Sequence, residues 1–172
     1  MIDPGDLGGD ASLAAPGELD LVRRFVNTRD LELGTEWLAT PGDLDSFLGT
    51  SGSTPADLER AIAFREALRA LLVANATGDP PAADALATVA AAGPLRATPD
   101  LSLAGDGLAR LLAIVLVARA DGTWARLKAC PGRDCRWALY DHTRSRTRTW
   151  CAAAKCGARA RSRAYRRRQA KK

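Results

Sequence analysis

Four cysteines are the residues of this 172-residue chain best suited to chemistry, and all of them lie between positions 130 and 156. They form two pairs, Cys130-Pro-Gly-Arg-Asp-Cys135 and Cys151-Ala-Ala-Ala-Lys-Cys156, each with four residues between its sulfurs. Two such pairs are a donor set for a closed tetrahedral Zn²⁺ site with Cys130, Cys135, Cys151 and Cys156 as ligands. Pro131-Gly132 supplies the tight turn that brings the first two sulfurs round one ion. The second pair is predicted to straddle a helix start, where the helix dipole and nearby Arg and Lys favour thiolates. Two disulfides or an iron–sulfur cluster would use the same four residues. The absence of a secretion signal points away from disulfides. With four protein ligands no position stays open, so the metal is expected to be structural and to drive the folding of its segment.

The second chemical feature is charge. Residues 1–125 hold nine Lys/Arg and eighteen Asp/Glu, a balance of −9, whereas residues 126–172 hold sixteen Lys/Arg and two acids, a balance of +14. An acidic body joined to a basic end points to a polyanion partner for that end. Arg144, Arg146 and Arg148 alternate, so an extended segment would project all three to one side. A helix after Cys156 would place Arg159, Arg163, Arg166 and Arg167 on a common face, flanked by Arg161 and Arg168. Arginine suits bidentate recognition of phosphates and guanine edges. Trp137, Tyr140 and Trp150 suit the small core of a metal module or base-stacking platforms. The one histidine, His142, suits a surface or phosphate contact, and Asp141 is expected to pair with an arginine and fix the loop.

No phosphate-binding loop, dinucleotide fingerprint, HExxH or nucleophile–base pair occurs, so an enzyme is not expected. No apolar run reaches eighteen residues, and no basic-then-apolar leader opens the chain, so a cytoplasmic protein without a membrane span is expected.

The elements that must position these groups follow from periodicity and capping. Residues 1–17, rich in Gly, Pro, Asp and Ala, are expected to form a flexible leader. Leu21, Val22, Phe25 and Val26 predict a short helix ending near Asn27–Thr28. Thr40-Pro41 and Thr54-Pro55, each with Asp three residues after Thr, predict two helix starts. The second opens a central helix with Leu58, Ala61, Phe64, Leu68, Leu71 and Leu72 inward and Glu59, Arg60, Glu66 and Arg69 mostly outward. A further helix is predicted from Asp79-Pro80 to Gly93, a hairpin over 95–103, and a largely buried helix over 107–120. From Thr123 alternation predicts a strand running into Cys130. The expected fold is mainly α with a small α+β zinc module: a leader (1–17), a helical domain with a minor hairpin (18–122), then a four-cysteine finger with a basic helix (123–172).

The run Cys135-Arg-Trp137-Ala-Leu-Tyr140-Asp141 and the run Arg144-Ser-Arg146-Thr-Arg148-Thr-Trp150-Cys151, followed by Cys156-Gly157-Ala158-Arg159, resemble the CGNR zinc finger of bacterial proteins described as stress-induced transcription regulators. Ala158 stands where the name-giving Asn of that motif would be, and Ser145 where Asn is also usual; neither is a metal ligand. The resemblance implies an N-terminal ABATE domain, a helical body, with Phe25-Val26-Asn27-Thr28 similar to its early signature. It implies a zinc-dependent DNA-binding transcription regulator, with a small-molecule effector sensed by the body. Asn27 and Arg29 are then candidate ligand-binding residues beside the plainer reading that Asn27 ends its helix. An RNA-binding accessory protein and a protein-interaction module with a basic tail remain alternatives. Monomer and homodimer both stay open.

Overall fold

The computed structural model describes residues 10–99 and 102–170, so the first nine residues of the expected leader lie outside the described residues. Helix α1 (Leu19–Asn27) presents Val22, Phe25 and Val26 to the core. Helices α2 (Pro41–Leu48) and α3 (Pro55–Thr77) each begin at a threonine whose side chain accepts from the backbone N–H of the Asp three residues on, while that Asp accepts in return. This reciprocal cap satisfies two of the amide groups that a helix start leaves free, and proline costs nothing at the next position. Between α1 and α2 lies a two-stranded hairpin, β1 (Arg29–Asp30) with β2 (Thr35–Glu36).

Helix α4 spans only Ala83–Ala90, shorter than the predicted 79–93, because its cap falls at Ala82 after Pro80-Pro81. The hairpin before the last body helix forms as β3 (Arg96–Ala97) and β4 (Leu103–Ala104). Helix α5 (Leu108–Ala120) follows and is buried along most of its length. The predicted strand from Thr123 is a short 3-10 turn over Trp124–Arg126 and then strand β5 (Leu127–Ala129). Trp124 turns into the core, which breaks the alternation that suggested a longer strand. β5 pairs antiparallel with β6 (Ala138–Tyr140), in the register Leu127↔Tyr140, Lys128↔Leu139 and Ala129↔Ala138. A π-turn over Ala153–Gly157 leads into helix α6 (Ala158–Gln169).

The β5–β6 hairpin joins the two halves. On one face Leu127, Ala129, Ala138 and Tyr140 pack into the same core as α1, α3 and α5. On the other, Leu139 packs against Cys130, Cys135 and Cys156. Period-two alternation thus assigns one face of a six-residue ribbon to the helical body and the other to the cysteines. The apolar core runs unbroken across Gly122.

Polar groups reinforce that junction. The Asn27 amide donates to Ala138 O at 3.1 Å, and Ala138 N–H donates back to Asn27 Oδ1 at 2.7 Å. Asn75 Nδ2 donates to Trp124 O and Leu127 O. Arg69, expected on the outer face of α3, is buried: its guanidinium donates to Val26 O, Arg29 O and Arg136 O and pairs with Glu66. A buried cation is tolerable only when its donors are met in this way.

The segment expected to be a flexible leader is ordered from Asp10 onward. Ala11–Leu13 forms a 3-10 turn capped by Asp10, and Leu13 is buried against the cysteines. Its neighbours are held by His142, which bonds to Ala14 O at 2.7 Å, and by Asp20, which accepts from Ala15 N–H.

Asn27→Ala removes both bonds to Ala138 and leaves a buried N–H and C=O without partners. At roughly 1–3 kcal/mol for each of the two groups, the loss should be about 2–6 kcal/mol. Urea denaturation of the variant is expected to show that loss as a shift of one transition.

Candidate metal centre and basic surface

Cys130 directly follows β5, and its N–H donates to Trp137 O, closing a loop whose turn places Cys135 N–H on Gly132 O. Arg136 completes the turn in the left-handed region, at φ 54°. Cys156 sits in the π-turn, where the N–H groups of Cys156 and Gly157 both donate to Ala152 O. The four Sγ atoms all lie within 4.8 Å of one another. Cys135 and Cys151 Sγ are 3.5 Å apart, and Cys151 and Cys156 Sγ 3.6 Å. Four thiolates at about 2.3 Å from one ion would be separated by about 3.8 Å, so the set fits a single tetrahedral cation. Cys130, Cys135 and Cys156 are buried and Cys151 is half-buried, with Leu13 and Leu139 covering them.

Hydrogen bonds among the thiols divide their acidities. Those from Cys135 and then Cys151 hold Cys130 far below the usual thiol range. The bond to Cys130 is the leading reason that Cys135 and Cys151 are pushed up. One negative charge is favoured and further ones resisted, until a cation neutralises them.

Gly157 lies under the Trp150 ring. A Cβ there would stand 3.4 Å from the indole and 3.3 Å from the Arg161 guanidinium. A side chain there would require the indole or the Arg161 guanidinium to give by a few tenths of an ångström.

Residues 126–169 match the family model of the CGNR zinc finger. The match spans both cysteine pairs, the intervening loop and α6. No curated protein matches the chain. Within the matched segment, the arginine loop of residues 141–150 is organised from inside by an ion pair. Lys128 Nζ, on β5, lies 2.8 Å from Asp141 Oδ2, with both side chains almost fully buried. The same ammonium donates to Arg146 O and Arg148 O. Asp141 also accepts from Arg148 N–H and from the N–H and hydroxyl of Thr143. Burial would push the Asp141 carboxyl up, but the bonds from Lys128 and Thr143 and the Lys128 charge outweigh it and hold Asp141 at about 2. The partner of Asp141 is therefore a lysine, not an arginine. The predicted extended run bends instead, with Arg146 N–H donating to Thr143 O and Arg146 at φ 56°.

The bend separates the three loop arginines. Arg144 and Arg146 are exposed. Arg148 turns inward, donating to Cys151 O and Ser12 O. In α6 no residue is buried, and Arg163, Arg166 and Arg167 are exposed, whereas Arg159 meets Glu32 at 2.6 Å. Lys155 meets the same carboxylate at 2.9 Å, docking the base of α6 on the β1–β2 turn. Exposed pairs of this kind contribute about 0–1 kcal/mol, so they orient the helix more than they stabilise it.

The two candidate ligand-binding residues do not meet at one site. Asn27 is fully buried, with its amide engaged by Ala138, and Arg29 donates to Gly34 O within the β1–β2 turn. Between α1 and α3 the buried Phe25 and Phe64 rings meet, with centroids 6.1 Å apart. Lys128, Leu13, Asn75 and the buried role of Arg69 carried no motif in the sequence. Only the alternation around Lys128, which places it opposite the body-facing residues of β5, hinted at any of them.

Lys128→Met leaves Asp141 as a buried charge without its partner. Removing one member of such a pair costs about 3–5 kcal/mol. Denaturation of Lys128→Met and of Lys128→Met/Asp141→Leu should show the double variant recovering a substantial part of the loss.

Proposed function

We propose that this protein is a zinc-dependent DNA-binding transcription regulator whose helical body holds the finger rigidly. The observation that carries this reading is α6. Its 12 residues include six arginines, none of its residues is buried, and among the described residues its one ion pair to another element is Arg159–Glu32, in its first turn. A helix of that length extends about 18 Å and, with side chains, measures about 10–12 Å across, which fits a major groove about 12 Å wide. Like charges repel all round such a helix, so a polyanion is the partner that would stabilise it. Arg144 and Arg146 add a second set of cations from the loop.

Zn²⁺ is the metal that best suits the centre. The closed all-cysteine set favours a soft, redox-inert cation, and sulfurs within 4.8 Å suit one ion better than a cluster. The metal would supply the charge that holds four thiolates together; the residues carrying out recognition are the arginines. The likeness of Phe25-Val26-Asn27-Thr28 to the early signature of an ABATE domain favours a regulatory reading. An effector bound there would act on the finger through Asn27, Asn75 and Arg69, which join the two, and only by binding two arrangements unequally. Among the described residues no helix is long and apolar enough to cross a membrane.

Elemental analysis of protein purified without chelator should give one zinc per chain. Affinity for duplex DNA should fall steeply with salt, with a log–log slope of roughly −4 to −6 for five to seven phosphate contacts. Replacing Arg163 and Arg167 together with Ala should flatten that slope by up to about two units. Salt-independent binding, or binding confined to RNA, would overturn the DNA reading.

A further inference from the structure

Between the first cysteine loop and α6 lies a cleft of ≈ 510 Å³. Arg133 and Asp134 line it from the loop, Arg163 and Arg167 from the helix, and Trp150 and Ala160 also contribute to its wall. None of the four charged side chains makes a hydrogen bond or ion pair with another described residue, although Asp134 shares the cleft with three arginines. Trp150 is half-buried, with Gly157 beneath its indole, so it offers a fixed aromatic surface backed by main chain.

The cleft combines three chemistries. Guanidinium groups bind phosphate. An indole held in place stacks a planar ring, and base–aromatic stacking tolerates any base. A carboxylate is an acceptor only, and beside phosphate groups it repels. A phosphate alone would use the first group and be opposed by the third. A nucleotide with an amino-bearing base would use all three. The volume falls within the range of small-ligand sites.

We propose that this cleft seats one unpaired nucleotide of bound DNA. Its base lies against Trp150, its phosphates meet Arg133, Arg163 and Arg167, and its exocyclic amino group donates to Asp134. Cytosine offers an amino donor where uracil and thymine offer a carbonyl oxygen, so the cleft selects cytosine over uracil. The inference rests on the reading that the CGNR segment binds nucleic acid. It adds Arg133, Asp134 and Trp150 to the arginines of the loop and helix.

The test uses the full chain loaded with zinc, and fluorescence anisotropy with labelled homopolymers of deoxycytidine and deoxyuridine and a mixed-sequence duplex. The deoxycytidine strand should bind about tenfold more tightly than the deoxyuridine strand. Asp134→Asn should bring the two within about twofold of each other, chiefly by raising affinity for deoxyuridine, because an amide can donate as well as accept. Arg133→Ala should weaken both strands alike. Asp134 and Arg133 are exposed loop residues, and an unchanged zinc content will show that each variant is folded. Equal affinity of the native chain for the two strands, or a preference that survives Asp134→Asn, overturns the proposal. Binding of the duplex but of neither strand overturns the cleft and leaves α6 as the DNA-binding element. Binding of none of the three overturns both readings.

Discussion

Sulfur atoms packed within 4.8 Å of one another cannot all ionise unless a cation lies among them, and this constraint governs the second half of the chain. The cysteines arrive from two directions, one pair from the β5–β6 loop and the other from the end of the arginine loop and the π-turn. Their convergence fixes both. Once Cys156 is held, the π-turn sets the direction in which α6 leaves, and no residue of that helix is buried. Once Cys130 and Cys135 are held, the hairpin register follows, which places Lys128 where it can meet Asp141. The buried ion pair then gathers the backbone of Arg146 and Arg148 and leaves the Arg144 and Arg146 side chains outside. Charge neutralised at the centre thus becomes charge displayed at the surface.

The hairpin carries the same constraint into the helical body. Leu127, Ala129, Ala138 and Tyr140 belong to the body core while Leu139 covers the cysteines. The polar links across the junction, from Asn27, Asn75 and Arg69, are made to main-chain atoms of Ala138, Trp124, Leu127 and Arg136. Links of this kind demand backbone position rather than a given side chain. A finger with a body of its own could be mobile on a linker. Here the packing leaves no linker: residues on both sides of Gly122 are buried in one core.

Much of this was legible in the sequence because it rested on local rules. The Thr-Pro-x-Asp starts of α2 and α3 needed only the chemistry of caps, and the four cysteines needed only their spacing. The mainly helical body and the basic last helix followed from periodicity and composition. What escaped was decided by distant contacts. Arg69 reads as a surface cation until three carbonyl oxygens from other elements surround it. Leu13 reads as part of a Gly/Pro-rich leader until the cysteines offer it an apolar surface. Alternating arginines read as an extended strand, but Lys128, which lies eighteen residues before Arg146, bends the loop. Asn27 looks available to a ligand until a hairpin 111 residues later takes both of its polar atoms.

The central claim is that metal centre and helical body form one folding unit. Amide hydrogen exchange across the chain, with the metal bound and after its removal by chelator, tests it most directly. Loss of the metal should strip protection from β5, β6 and α6. It should also lower protection at the C-terminal end of α1 and in the middle of α3, where Asn27 and Arg69 meet the hairpin. Unchanged protection in α1 and α3, with exchange confined to residues after Gly122, would contradict the account and show that the body folds without the finger.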